Sequence, residues 1–255
     1  MEKTKIVQQD EQAKEQEGET RKKAQAICVM ILLLFQNLSS QIKLQIIEWS
    51  GLNNKSLISA FLKNTILNKI NDILETFEGE YSSLLKNELL KIYSESYISM
   101  MDIINSSLGE NYDLSVDKGR VQNEIDLFDV QSLIVANKFL YDFGQILNDN
   151  FVDVNDSMKR VDQIINAAFK REENGILTQA NILFNKGRED AALNQGCESY
   201  KYITINDNKV CSVCNSLNNK VFKFKDAKKG ENYPLMHFRC RCTITPIANR
   251  VDSLK

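Results

Sequence analysis

Proline is almost missing from this 255-residue chain. Two occur, Pro234 and Pro246, so more than two hundred residues run without the side chain that most reliably interrupts a helix. Histidine is scarcer still. His237 is the only one, which argues against metal-dependent nucleases that use histidine both as ligand and as general base. Long apolar runs are lacking too. The longest uninterrupted one, Ala26 to Phe35, is ten residues, about half of what a helix needs to cross a bilayer core. The expectation is a buried or partner-packed helix and no membrane span. About twenty-five mostly charged and polar residues precede that run and no small-residue cleavage site follows Phe35, so a secretory signal is not expected. Also absent are G-x-x-x-x-G-K-[ST], G-x-G-x-x-G and H-E-x-x-H. A deaminase needs glutamate two residues after its ligand histidine, and position 239 is arginine.

What is present is the composition of a soluble globular protein, 43% hydrophobic and 26% charged, which signals neither disorder nor a membrane class. The net charge of -2 hides an asymmetry: from Gly196 onward there are 11 basic and 5 acidic residues, against 21 and 29 before it. A cytosolic chain keeps its thiols reduced, and clustered cysteines there read as metal ligands before disulfides.

Hydrophobic spacing fills the proline-free stretch with helices. Leu57, Phe61, Leu62, Ile66, Ile70, Ile73 and Leu74 fall on one stripe, and segments 81–107 and 122–148 behave alike. Breaks are expected at Gly51-Leu52-Asn53-Asn54, at Gly79 and over Gly109 to Gly119, giving five or six helices. Asp153-Val154-Asn155-Asp156 is a helix start, followed by Met158, Val161, Ile164, Ile165 and Ala168. A last helix is predicted from about Gly175 to Asn194, with Gly196 as its left-handed cap. Beyond it the pattern turns to short β pieces, Tyr200–Ile205 and Lys220–Phe224, the second preceded by an Asn218-Asn219 turn. Residues 1–25 hold little that is apolar beyond Ile6 and Val7 and read as a charged arm, frayed helix or disordered. The expected division is this arm, a helical domain over 26–195, and a small module over 196–255.

The chemistry concentrates in that module. Cys211 and Cys214 stand two residues apart, a spacing at which a tight turn aims both sulfurs at one tetrahedral ion; His237, Cys240 and Cys242 follow within 32 positions of the first. Five candidates exceed the four that a closed zinc site needs. Cys211, Cys214 and Cys240 are the firmer choices, His237 is preferred as fourth, and a four-cysteine site using Cys242 stays open. Competing readings are unmetallated buried thiols, disulfides, or a cysteine–histidine catalytic pair, the last disfavoured because a nucleophilic thiol rarely sits among three others. Arg239 and Arg241 interleave with the ligands and can offset thiolate charge or meet an acidic partner. Cys28 and Cys197 lie outside the cluster and read as small buried hydrophobes.

These residues resemble the phage head morphogenesis, or minor head, protein family with its Mu F-like C-terminal domain. Thr178, Asn185 and Gly187 match the family's helical motif; Tyr202 stands where it often has tryptophan; Asp207, Val210, Cys211, Cys214, Leu217, Lys220, Val221 and Phe222 follow in order. Pro234, His237, Cys240, Arg241, Cys242 and Pro246 complete the pattern. Leu177, Gln179, Asn219 and Phe238 depart from it, replacing arginine, glutamate, glycine and proline. The resemblance spans roughly 170–250. It implies a non-enzymatic minor component of a phage or prophage-like particle that assists capsid assembly and DNA packaging or ejection. The partners it implies are portal, coat or scaffold proteins, and a second copy of the chain is admissible. Its place would be the host cytoplasm during assembly and then the virion.

The expected architecture is thus mainly α, a long-helix N-terminal bundle followed by a small zinc-stabilised α+β module. The rival reading is a zinc-dependent nucleic-acid-binding module, motivated by the basic tail and by Lys223, Lys225, Lys228 and Lys229 beside Phe222 and Phe224.

Overall fold

With no proline to stop them, residues before Gly196 form long helices. The computed structural model describes residues 2–53, 60–108, 115–148, 153–205 and 207–247. In it α1 spans Glu2–Asn53, α2 Ala60–Leu108, α3 Gly119–Asn148 and α4 Val154–Asn194. The protein is mainly helical with a small C-terminal sheet: β1 (Ser199–Ile203), the short α5 (Ser212–Leu217), β2 (Val221–Lys223), a 3-10 turn (Phe224–Asp226) and β3 (Thr243–Ile247).

Among the described residues four long helices stand where five or six were expected, because Gly79, read as a break, and Gly175, read as a helix start, lie inside helices. At Gly79 an added Cβ would meet nothing within 4 Å, and a lone glycine costs a helix only about 1 kcal/mol. At Gly175 an added Cβ would stand 3.2 Å from two ring carbons of Phe128. That glycine admits an aromatic ring, and α4 runs unbroken through it. The ends of α4 fall where sequence put them. Asp153 Oδ1 accepts from the Asn155 amide at 2.6 Å, capping the start of α4. At its end Gly196 takes φ +69, while the Cys197 amide reaches back to Ala192 O and that of Gly196 to Leu193 O, both at 3.0 Å. α1 ends at Asn53, and α2 stops at Leu108 before the expected 109–119 break; Asn54 and residues 109–114 lie outside the described residues.

The chain divides into two compact units, Ala26–Asn87 with Glu124–Gly175, and Met1–Gln25 with Glu88–Asn123 and Ile176–Lys255. The first has an aromatic core. Phe35 meets Phe77 edge-on at 5.0 Å and lies 5.8 Å from Phe169 and 6.2 Å from Phe139. Ile27, Ile31, Leu38, Ile42 and Ile46 continue its buried stripe along α1, and Cys28 is buried as expected. By length and composition α1 is apolar enough to cross a bilayer. A stripe packed inside the protein is what a core helix shows, although Val29, Leu33, Leu44 and Ile47 are exposed.

The second unit carries the sheet, in the order β2-β1-β3 and antiparallel throughout, with Tyr200 opposite both Phe222 and Pro246. Its core joins Tyr97, Met100, Met101 and Ile104 of α2 to Ala191 and Ala192 of α4, Tyr200 and Ile244 of the sheet, and Cys197, Phe224 and Tyr233. β3 is an edge strand, and α4 serves its outer carbonyls. Asn181 and Asn185 donate to Cys242 O at 3.3 and 3.1 Å, and Arg188 Nε donates to Ile244 O at 2.8 Å. Positions 181, 185 and 188 share one helix face, so a single polar stripe replaces the missing neighbouring strand.

Candidate metal centre

The site hangs on the sheet and the polar stripe of α4. β1 places Tyr202 in the middle, fully buried. Asn219 takes φ +65, as the Asn-Asn turn requires, and its amide donates to Tyr202 O at 2.8 Å, fastening the end of α5 to the strand. α5 itself is capped by a ligand candidate. The Cys211 sulfur accepts from the Cys214 amide at 3.4 Å, so the C-x-x-C pair is set by a helical turn. Cys214, the third residue of α5, is buried, while Val213 between the two cysteines is exposed.

The second half arrives on the loop before β3. The Cys240 amide donates to His237 O at 3.0 Å, closing a tight turn in which Arg239 takes φ +59. Thr178 Oγ1 accepts the Arg239 amide at 3.3 Å, so α4 holds the strained residue in place. Two overlapping groups result, each with its ligand atoms within 4.8 Å of one another: Cys211, Cys214 and His237, and Cys214, Cys240 and Cys242. Cys214 belongs to both, 3.4 Å from His237 Nε2 and 3.9 Å from Cys240 Sγ. A cavity of about 20 Å³ opens among Cys211, Cys214, His237 and Cys242. The five candidates thus fall in two groups that share Cys214, and none of the six cysteines forms a disulfide.

The titration chemistry distinguishes the sulfurs. The hydrogen bond from Cys242 pulls the Cys240 thiol down to about 5. Cys242 is itself raised by that same bond and by burial. The Cys214 amide lowers Cys211, whereas burial pushes Cys214 up to about 12. His237 is raised, chiefly through its bond to the Phe238 carbonyl at 2.9 Å. With Nδ1 carrying the proton for that bond, Nε2 is left as the free donor atom facing Cys214.

Residues 150–245 match the family described as Phage Mu protein F like protein. This stretch is similar to a Mu F-like domain. No curated protein and no solved structure matches the chain. The domain match starts earlier than the roughly 170 read from the motif residues, taking in all of α4. Each helical motif residue has a part in this geometry: Thr178 holds the ligand loop, Asn185 holds the Cys242 carbonyl, and Gly187 lets α2 approach. At Gly187 an added Cβ would lie 2.6 Å from Tyr93 O and 2.9 Å from Tyr97 N.

Of the two arginines beside the ligands, Arg241 is committed. It grips Asp207 through both terminal nitrogens, one contact measuring 2.5 Å, and the guanidinium holds that carboxyl down at about 2. Sequence reasoning missed one contributor altogether. Residues 9–24 of α1 belong to the same compact unit and bury Ala13, Glu17 and Ala24. Gln16 accepts from Arg188 Nη1 at 2.6 Å, and Asp10 pairs with Lys201. Burial pushes the Glu17 carboxyl up to about 7 against the opposing pull of Arg21 and Arg241. Three acidic or amide side chains at 10, 16 and 17 facing the cations at 188, 201 and 241 was the available signal, diluted in a segment where charge is everywhere.

Proposed function

We propose that this chain is a non-enzymatic minor head protein of a phage or prophage-like particle, and that its Mu F-like domain is stabilised by one structural zinc. The family match over 150–245 carries the first part, because the motif residues meet in one small structure instead of scattering over the surface. Partners of that reading are portal, coat or scaffold proteins. Their docking surfaces would come from the helices, since the cysteine cluster is mostly buried.

Zinc fits the donor set. Bonds of about 2.3 Å to sulfur and 2.0 Å to nitrogen at tetrahedral angles give edges of roughly 3.8 Å between sulfurs and 3.5 Å from sulfur to nitrogen. The 3.9 and 3.4 Å separations around Cys214 are close to these. Cys211, Cys214, His237 and Cys240 would hold the ion. Cys242 would then be the spare thiol. A closed four-ligand shell leaves no open position for a substrate, so the ion's work is to fold a segment whose own core is small.

The nucleic-acid reading gains little from the geometry. Lys220, Lys223, Lys225 and Lys228 are exposed on and around β2, an edge strand of three residues. Lysines there serve equally to keep a free strand edge from pairing.

The test is genetic and biochemical. Particles assembled with and without an intact gene for this chain are purified and compared for head yield, DNA content and protein composition. The proposal expects the chain in wild-type heads and fewer DNA-filled heads in its absence. Normal filled heads that never contain the chain would refute it.

A further inference from the structure

We propose that α1 completes the metal centre, with Glu17 as the positioning residue that holds the 239–241 segment in ligand geometry. This rests on the zinc reading above and extends it to a segment more than 190 residues from the first ligand. Glu17 is only 5% exposed, on the α1 face that also buries Ala13 and Ala24. Alanines on either side let the helix lie close. Glu17, Thr20 and Ala24 line a cavity of about 10 Å³ together with Asn181, Arg239 and the ligand Cys240. That space is therefore shared by α1, α4 and the ligand turn.

The charges place Glu17 in the same role. Arg241 lies between Cys240 and Cys242 in sequence, bound on one side by Asp207 and in the field of Glu17. Asp207 by contact and Glu17 by its charge thus act, from distant parts of the chain, on the one arginine whose neighbours in sequence are Cys240 and Cys242. The rest of the seat is also polar: Gln16 bonds both Arg188 and Ser99, at 2.6 and 2.5 Å, and Asp10 pairs with Lys201. Only the two alanines supply fully buried apolar surface over residues 9–24. A helix held this way stays seated only while its neighbours keep their positions, and an ion bound at Cys240 would further fix the 239–241 segment that shares a cavity with Glu17. Seating of α1 and metal binding are then coupled, and coupling between two binding equilibria is reciprocal.

The experiment uses the full chain. Zinc affinity is measured by competition with a chromophoric chelator for wild type, Glu17→Ala, Glu17→Gln and the double variant Asp10→Asn/Gln16→Ala, whose positions touch no ligand. Amide exchange over residues 10–24 is followed with and without metal. Glu17→Ala is expected to weaken zinc binding about 10-fold, the low end of what losing an outer support costs a metal site. Glu17→Gln, which keeps the shape and removes the charge, falls between it and wild type. The double variant weakens zinc in the same direction, and metal removal speeds exchange over 10–24 by a matching factor. Cobalt substituted for zinc keeps its thiolate charge-transfer bands in Glu17→Ala while its ligand-field bands shift, which a general loss of stability does not produce. If Glu17→Ala fails to fold by circular dichroism, the double variant carries the test. Zinc affinity unchanged in the folded variants overturns the proposal while leaving the zinc reading intact. A wild-type chain that takes up no zinc overturns both.

Discussion

Replacing Gly187 with alanine tests a close approach of α2 and α4 in the sheet-bearing unit. Its added Cβ would meet Tyr93 O at 2.6 Å, Tyr97 N at 2.9 Å and the Ser96 Cβ at 3.1 Å. The first two are backbone atoms in the middle of α2, so no side chain can swing away and the helices must part. Overpacking of this kind costs about 1–3 kcal/mol, and alanine's better helix propensity returns about 1 kcal/mol. The clash is with rigid backbone, so the upper part of the range applies and a net loss of about 1–2 kcal/mol is expected. Gly18 and Gly79 are the matched controls, because an added Cβ at either meets nothing within 4 Å. Gly18→Ala and Gly79→Ala should each gain about 0.5–1 kcal/mol. Urea unfolding followed by circular dichroism, at one fixed zinc concentration so that metal linkage does not differ between samples, reads all three. A Gly187→Ala protein that gains stability as the controls do would contradict the close crossing of α2 and α4.

Further outcomes follow from local contacts. Asp153→Ala removes the acceptor for the Asn155 amide and should cost about 1 kcal/mol, measured by the same unfolding assay, with Asp153→Asn losing far less. Lys43, at 2.6 Å, and the Ser39 hydroxyl hold the Asp162 carboxyl below its ordinary 3.8. The folded form therefore binds that proton more weakly than the unfolded chain, and the stabilisation is present above pH 3.8 and lost as pH falls through the lower folded value. The group is half exposed, so Asp162→Asn should cost less than about 1 kcal/mol near neutrality, and its unfolding curve should merge with wild type in acid. Replacing Asn185 with leucine removes a donor to Cys242 O while Asn181 still reaches that oxygen. A loss of about 1–3 kcal/mol is expected for the buried polar change, with a sharper fall in zinc retention than Asp153→Ala causes.

Sequence made the helical character, the caps of α4 and the five clustered ligand candidates legible, because each rests on a local rule. Spacing reveals a stripe, Asp153 and Gly196 carry their capping chemistry in their own side chains or lack of one, and Cys211–Cys214 declares itself in four residues. The failures were contacts between distant segments. Gly175 looked like a terminus because its reason for being glycine, the Phe128 ring, lies 47 positions away. β3 was missed because Pro246 sits inside it, which a strand tolerates only where its missing amide faces no partner, as on this edge. Residues 9–24 lacked an apolar stripe to betray them, since what they bury is alanine and a carboxylate. Arg188 is a similar case: a fully buried guanidinium with no carboxylate partner among the described hydrogen bonds, supported by a strand carbonyl and a glutamine.

Metal content is the decisive measurement. Full-length protein purified without chelators should carry one zinc per chain by elemental analysis. Cys211→Ser, Cys214→Ser and Cys240→Ser should lose it, and Cys242→Ser should keep it. Zinc-free wild-type protein that nonetheless shows the native circular dichroism and unfolds cooperatively would contradict the metal centre. Loss of zinc from Cys242→Ser with retention in His237→Ala would contradict the ligand set.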